Sequence, residues 1–135
     1  MNEAIQSIRV IAAVIRRDDS WLLGLRPSHK RHGGLWEFPG GKYEIGETAF
    51  DAADRELQEE MGVGVVWVGE ILFEFRDPDS PYLIEFRNVR IDGDPKPLEH
   101  EKIGWFDLQQ ISNMNLAPTD RKFAEYLGRE QHGAE

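Results

Sequence analysis

From the N-terminus onwards, the apolar residues of this chain gather into short, β-branched runs parted by polar turns, with one longer stretch at helical spacing. Ile8 to Arg16, "IRVIAAVIR", is a central strand by this pattern, Asp18–Ser20 a turn, and Trp21–Arg26, "WLLGLR", the partner strand of a hairpin. Pro27–Gly34 has the composition of a loop. Leu35–Gly41, "LWEFPGG", reads as a short strand ending in a glycine turn. Val65–Phe75 and Tyr82–Arg90 read as strands around the turn "RDPDSP", and Lys102–Phe106 as a further short one.

The helical stretch is Ala49 to Met61. At about 100° per residue, Phe50, Ala53, Leu57 and Met61 form one stripe, the expected core side. Asp51, Asp54 and Gln58 fall opposite, on the solvated side. Glu56, Glu59 and Glu60 share a face beside the stripe, and the residues one or two turns earlier on that face, Ala49 and Ala52, are small. Thr48 with Asp51 three residues on is a variant capping box, and Gly62 followed by Val63 a glycine stop. Asp107–Ile111 reads as a brief helix, Asp120–Gly128 as a terminal one, and 129–135 as a frayed tail. The sum is a single domain over 1–128, a mixed sheet flanked by helices. The order of elements alone leaves several α/β and α+β layouts open.

A length of 135 residues suits one domain with its own core, and 40% apolar content with seven Phe and four Trp marks it as globular. The chain has no apolar run long enough to span a bilayer, and "MNEAIQSIRV" has no basic and apolar leader pattern. Absence of cysteine suits a reducing cytoplasm. A net charge of −9 disfavours nucleic-acid polymers and anionic membranes as partners. It still admits a small phosphorylated ligand, provided metal ions neutralise the carboxylates around it. The expected state is a monomer or homodimer.

Three carboxylates crowded on one helix face have two explanations: a solvated face whose acids pair with Arg55 and nearby lysines, or a cation site. The acids sit beside the buried stripe rather than opposite it, and they follow a Pro-Gly-Gly turn whose backbone carbonyls can approach a cation. Clustered carboxylates plus a carbonyl form an all-oxygen donor set, suited to Mg2+ with Mn2+ as substitute, not to zinc.

The segment Gly41 to Val63, "GKYEIGETAFDAADRELQEEMGV", carries Gly41, Glu47, Arg55, Glu56, Leu57, Glu59, Glu60, Gly62 and Val63 at the spacing G-x5-E-x7-R-E-U-x-E-E-x-G-U, with U aliphatic. It resembles the signature of the Nudix hydrolases. The resemblance implies a Nudix fold, an α/β/α sandwich around a mixed sheet with the signature as a loop-helix-loop. It implies that Glu56, Glu59 and Glu60 bind divalent metal with help from the Gly41 backbone, and that Glu47 and Arg55 tie the loop to the helix. The family cleaves a nucleoside diphosphate linked to a further group.

Beyond the signature, "LWEFPGGK", "EHEKIGW" and "LAPTDRKFAEYL" are similar to the MutT-type and CTP pyrophosphohydrolase-like branch. That likeness implies Glu99 as a further metal ligand, Asp120 as a reader of the base edge, and Arg26 as a phosphate contact. Asp120 is equally an N-cap for the last helix, and Glu99 an exposed loop acid. Lys30 and Arg31 read as a solvated loop. His29 and His32 do not make a zinc motif. Phe38, Phe75 and Tyr82 are candidates to stack on a base, as is Phe86, although aromatics at strand spacing also build cores. Thr119-Asp120 stands where CTP-type relatives usually have Ala-Asp, and the Phe75–Tyr82 region matches no motif. The expected activity is Mg2+-dependent pyrophosphohydrolysis of an NTP or dNTP, CTP-like or an oxidised purine, with Glu56 or Glu99 taking the proton. The alternatives are another nucleoside diphosphate substrate (nucleotide sugar, ADP-ribose, dinucleoside polyphosphate) and a non-catalytic nucleotide-binding domain.

Overall fold

The computed structural model describes residues 7–76 and 78–133. The chain runs β1 (Ile8–Val14), β2 (Arg16–Arg17), β3 (Ser20–Leu25), β4 (Trp36–Glu37), β5 (Gly40–Lys42), α1 (Ala49–Met61), β6 (Gly64–Arg76), β7 (Tyr82–Asp92), β8 (Lys102–Phe106), α2 (Leu108–Ser112) and α3 (Pro118–Gly133). One sheet has the order β5-β1-β7-β6, with β1 and β7 parallel and its other pairs antiparallel. In the second, β3 pairs with β2, β4 and β8, all antiparallel. Residue 77, in the expected turn between β6 and β7, lies outside the described residues.

β1 shows why its sequence lacks an apolar–polar alternation. Ile11 and Ala13 pack with Leu57 and Met61 of α1, while Ala12 and Val14 pack with Phe86 and with Phe123 of α3. A strand buried on both faces needs apolar residues at every position. The result is the expected α/β/α arrangement. On the α3 side Phe86 stacks on Phe123 with ring centroids 4.4 Å apart, and Phe38 meets both edge-on. Among the described residues no helix is long and apolar enough to cross a membrane.

The capping signals of α1 act as read. Thr48 Oγ1 accepts from the Asp51 amide at 3.1 Å, Asp51 accepts from the Thr48 amide at 3.0 Å, and Gly62 closes the helix at φ 68°. Its core stripe differs from the expectation. Phe50 is exposed, and the buried residues are Ala52, Ala53, Leu57, Glu60 and Met61. The stripe is rotated towards the acidic side, so Ala52 takes the core place assigned to Phe50 and Glu60 goes inward with it. Asp54 is also more than a solvated acid, since it accepts from the Val65 amide at 2.9 Å and ties the helix to β6.

Two further differences concern boundaries. Helix α3 starts at Pro118, a residue preorganised for the first helical position, and continues to Gly133. Residues 129–133 are therefore helical rather than a frayed tail, and 134–135 lie outside the described residues. Apolar periodicity ends at the buried Leu127, whereas Arg129, Glu130 and Gln131 keep good helix propensity. The "LWEFPGG" segment is two strands rather than one. β4 belongs to the second sheet and β5 to the first, so the chain crosses between sheets at Phe38 and Pro39. That crossing sets the site.

A buried carboxylate also braces the first sheet. Glu85 of β7 accepts from Arg9 Nε at 2.9 Å, Tyr43 Oη at 2.7 Å and Arg87 Nε at 3.2 Å.

Candidate active site

Where β4 passes into β5, the backbone comes up against the acidic face of α1. The carboxylate of Glu56 packs so closely on Gly41 that a Cβ there would lie 2.4 Å from its carboxyl carbon. At Gly40, φ is 149° and a Cβ would fall 2.0 Å from the Ile11 carbonyl oxygen. Both glycines are needed for this approach of backbone to carboxylates and strand.

Arg55 fastens the loop before α1 to the helix. Its Nε and Nη2 each donate to Glu47 at 2.8 Å, Nη1 donates to Glu56 at 2.7 Å, and Nη2 also donates to the Lys42 carbonyl at 2.8 Å. Glu47 in turn accepts from the Glu44 amide at 2.7 Å. The Arg55 fork and the Glu44 amide hold the Glu47 carboxyl down at about 2, and Glu47 chiefly, then Glu56, raises the pKa of Arg55. Glu47 and Arg55 therefore join loop to helix, and Arg55 aims Glu56.

Glu56, Glu60 and Glu99 line one cavity of about 130 Å³, together with Arg26, Lys30 and His100. The stretch bearing Glu99 is pinned at both ends: the Leu98 amide donates to the Glu60 carbonyl at 3.1 Å and the Glu101 amide to the Leu25 carbonyl at 2.9 Å. Glu60 is buried, and its Oε2 has no hydrogen-bond partner among the described residues. Burial first, then the carboxylates of Glu56 and Glu37, push its carboxyl up to about 10, against a bond from the Gly40 amide. Glu37, Glu60 and His100 bring ligating atoms within 4.8 Å of one another. An unpartnered buried oxygen among converging carboxylates is a donor set that fits a hard divalent cation. Glu59, the third expected ligand, is exposed on α1 and lines neither this cavity nor its neighbour.

That neighbour is a cleft of about 460 Å³, bordered by Arg26, Phe38, Lys42, Tyr82 and Asp120 among others. Arg26, Glu37 and Gly40 line both spaces, so the two adjoin at the β4–β5 crossing. Asp120 is not an N-cap. It stands third in α3, whose first backbone bond runs from Arg121 to the Ala117 carbonyl at 2.9 Å. Its Oδ1 accepts instead from the Phe38 amide at 2.8 Å, and burial pushes its carboxyl up to about 8 despite that bond. Of the other aromatic candidates, Phe86 borders the cleft, while Phe75 does not and sits opposite Ile84 in the β6–β7 ladder. Arg31 and His32 reach the cleft and Lys30 the smaller cavity, so the basic loop borders the site.

Sequence reasoning missed Glu37 and His100. Both lie in quoted segments, "LWEFPGG" and "EHEKIGW", but they are 63 residues apart and only the pairing of β3 with both β4 and β8 joins them.

A family model described as the NUDIX domain matches residues 6–127, and the chain belongs to that family. It is a Nudix hydrolase, acting on phosphoric anhydride bonds of nucleotides. Among curated proteins it is similar to the CTP pyrophosphohydrolase of Escherichia coli (strain K12), 34% identical over 119 residues that cover 86% of this chain and 87% of that one. It is also similar to the putative 8-oxo-dGTP diphosphatase 2 of Mycobacterium tuberculosis, 30% identical over 128 residues, 93% of this chain and 91% of that one. Among solved structures, the E. coli ORF135 protein superposes with a TM-score of 0.79 at 32% identity, covering 93% of this chain and 91% of that one. The MutT NUDIX hydrolase from Burkholderia pseudomallei gives 0.77 at 27% identity, covering 89% and 97%.

Proposed function

We propose that the chain is a Mg2+-dependent pyrophosphohydrolase of nucleoside triphosphates, converting an NTP or dNTP and water to the monophosphate and pyrophosphate. The observation that carries this reading is the adjacency of the two spaces: a carboxylate-lined cavity for polyphosphate and cation shares Arg26, Glu37 and Gly40 with a cleft sized for a nucleoside. Glu56 and Glu60, with the Gly41 backbone beside Glu56, would hold the cation, while Glu59 lies outside this cavity. When bound, such an ion neutralises phosphate charge and lowers the pKa of a coordinated water.

The residues of the chain do the rest. Arg26 faces the phosphates. Tyr82 and Phe38 wall the nucleoside, and Asp120 offers its carboxyl to the base edge. Glu56 is held by Arg55, which leaves Glu99, exposed at the cavity rim, to accept the proton of the attacking water. The names of the two curated relatives support cytidine and oxidised-guanine nucleotides as the first to try.

Natural, methylated and oxidised nucleoside triphosphates are incubated with the protein and Mg2+, and pyrophosphate is quantified against monophosphate. The reading requires equal amounts of the two products and no turnover in chelator. Orthophosphate as the sole inorganic product, or turnover confined to nucleotide sugars or ADP-ribose, contradicts it.

A further inference from the structure

Two residues at the heart of this site have no part in the scheme above, Glu37 and His100. Glu37 borders both the carboxylate cavity and the nucleoside cleft, and both of its oxygens are engaged. Oε1 accepts from Arg26 Nη1 at 3.1 Å, and Oε2 lies 3.0 Å from His100 Nε2. An ionised carboxylate can only accept, so Nε2 is the donor and carries the hydrogen. Nδ1 is buried with no partner among the described residues, which suits a bare lone pair better than an N–H.

That tautomer separates two roles for the ring. A metal-ligating Nε2 carries no proton, and the Nδ1–H of a ligating histidine is nearly always held by a carboxylate, a carbonyl or water. Among the described residues, Nδ1 meets neither a carboxylate nor a carbonyl. Nε2 is also 3.8 Å from Glu60 Oε1, beyond hydrogen-bond range, so its bond goes to Glu37.

The fold provides a seat for this ring. Gly24 of β3 has Glu37 as its register partner on one side and Ile103 on the other. A Cβ at position 24 would fall 2.4 Å from His100 Cδ2 and 2.7 Å from Nε2, so the imidazole fills the space a side chain would take.

We infer that His100 is a positioning residue: seated on Gly24, it fixes Glu37, and Glu37 aims Arg26 at phosphates lying against the Glu56–Glu60 cation site. The inference rests on the reading of that cavity as the hydrolytic site.

Two measurements test it. Two-bond 1H–15N spectra of the histidine rings, assigned with His100→Gln, are recorded without divalent ions and with saturating Mg2+. His100 keeps its Nε2–H form in both; a Nδ1–H form, or loss of the Nε2 proton on adding Mg2+, overturns the inference whether or not the protein turns over a nucleotide. Steady-state kinetics with CTP and 8-oxo-dGTP form the second arm. His100→Leu lowers kcat about tenfold or more with KM within about threefold, and His100→Gln, whose amide N–H can stand where the imidazole N–H did, recovers most of the loss. Glu37→Gln matches His100→Leu, and the double variant is within about threefold of either single one. Unchanged kcat in His100→Leu, no recovery in His100→Gln, or losses that multiply in the double variant overturn it. A wild-type protein that releases no pyrophosphate defeats the hydrolytic reading instead, and the spectra then decide the placement of His100.

Discussion

Glu60 occupies a position where a folded protein rarely keeps a carboxylate: buried, one oxygen without a partner, and two other acids at hand. Its folded pKa of about 10 lies above the ordinary carboxylate value of 4.5, so its contribution to stability is intact below 4.5 and is lost as pH rises through the folded value. Glu60→Gln cannot ionise. In chelator at pH 8 it should melt at a higher temperature than the wild type, while Mg2+-dependent turnover falls by about two orders of magnitude or more. A lower melting point in chelator would show that the folded protein does not hold the Glu60 carboxyl above the ordinary carboxylate range. Asp120 makes a different prediction, because it lines the proposed nucleoside cleft. Asp120→Ala should raise KM about tenfold or more with a smaller change in kcat, measured on the preferred triphosphate. At this scale spacing along one helix placed Glu56 and Glu60 at one cavity, but not Glu59, which was read with them and lies outside it. Glu56 and Glu60 follow from three or four residues of separation, and Gly41 from its place in the signature. Glu37 and His100 were out of reach, because their meeting depends on three strands and on the space left by Gly24.

Helix α1 is useful to the site only if the loop before it keeps its register, and Arg55 is the joint. Its planar fork spans Glu47, Glu56 and the Lys42 carbonyl at once, a geometry that an ammonium cannot reproduce. Arg55→Lys should therefore retain the fold yet lose about tenfold or more in kcat, with faster amide exchange at Glu44 and Glu47. Exchange as slow as in the wild type would mean that the clamp is dispensable. In the first sheet, Glu85 plays the corresponding part for β1, β5 and β7. Burial alone would raise its carboxyl, but the bonds from Arg9, Tyr43 and Arg87 win and hold it below the usual range. The stability this confers is present above the ordinary carboxylate pKa and is lost as pH falls from there through the lower folded value. Melting temperatures taken from pH 6 to pH 3 should drop less steeply for Glu85→Gln than for the wild type, and at pH 7 the variant should be weaker by about 1–2 kcal/mol, since Arg9 is half exposed. Capping boxes and the glycine stop made α1 legible to the residue. The exposure of Phe50 was not, since the helix turns its acidic side partly inward, against the usual preference of charge for water.

Taken whole, the molecule places scarce positive charge where polyphosphate would lie. The chain carries −9 overall, yet Arg26, Arg31 and Lys42 all border the cleft beside an acidic cavity. On the proposed reading, cation and nucleotide would thus meet complementary walls on either side of the β4–β5 crossing. The layered fold was expected only through the resemblance of Gly41–Val63 to the Nudix signature, since the order of elements left several layouts open. The division into two sheets was not, because nothing in "LWEFPGG" marks Phe38 and Pro39 as a passage between them. The most direct test is a crystal structure with Mn2+ and a non-hydrolysable nucleoside triphosphate, read by manganese anomalous scattering. Peaks bonded to Glu56 and Glu60, with the phosphates between them and Arg26 and the base towards Asp120, are the expected result. Manganese bound away from both glutamates, with the nucleotide still ordered in the cleft, would contradict it.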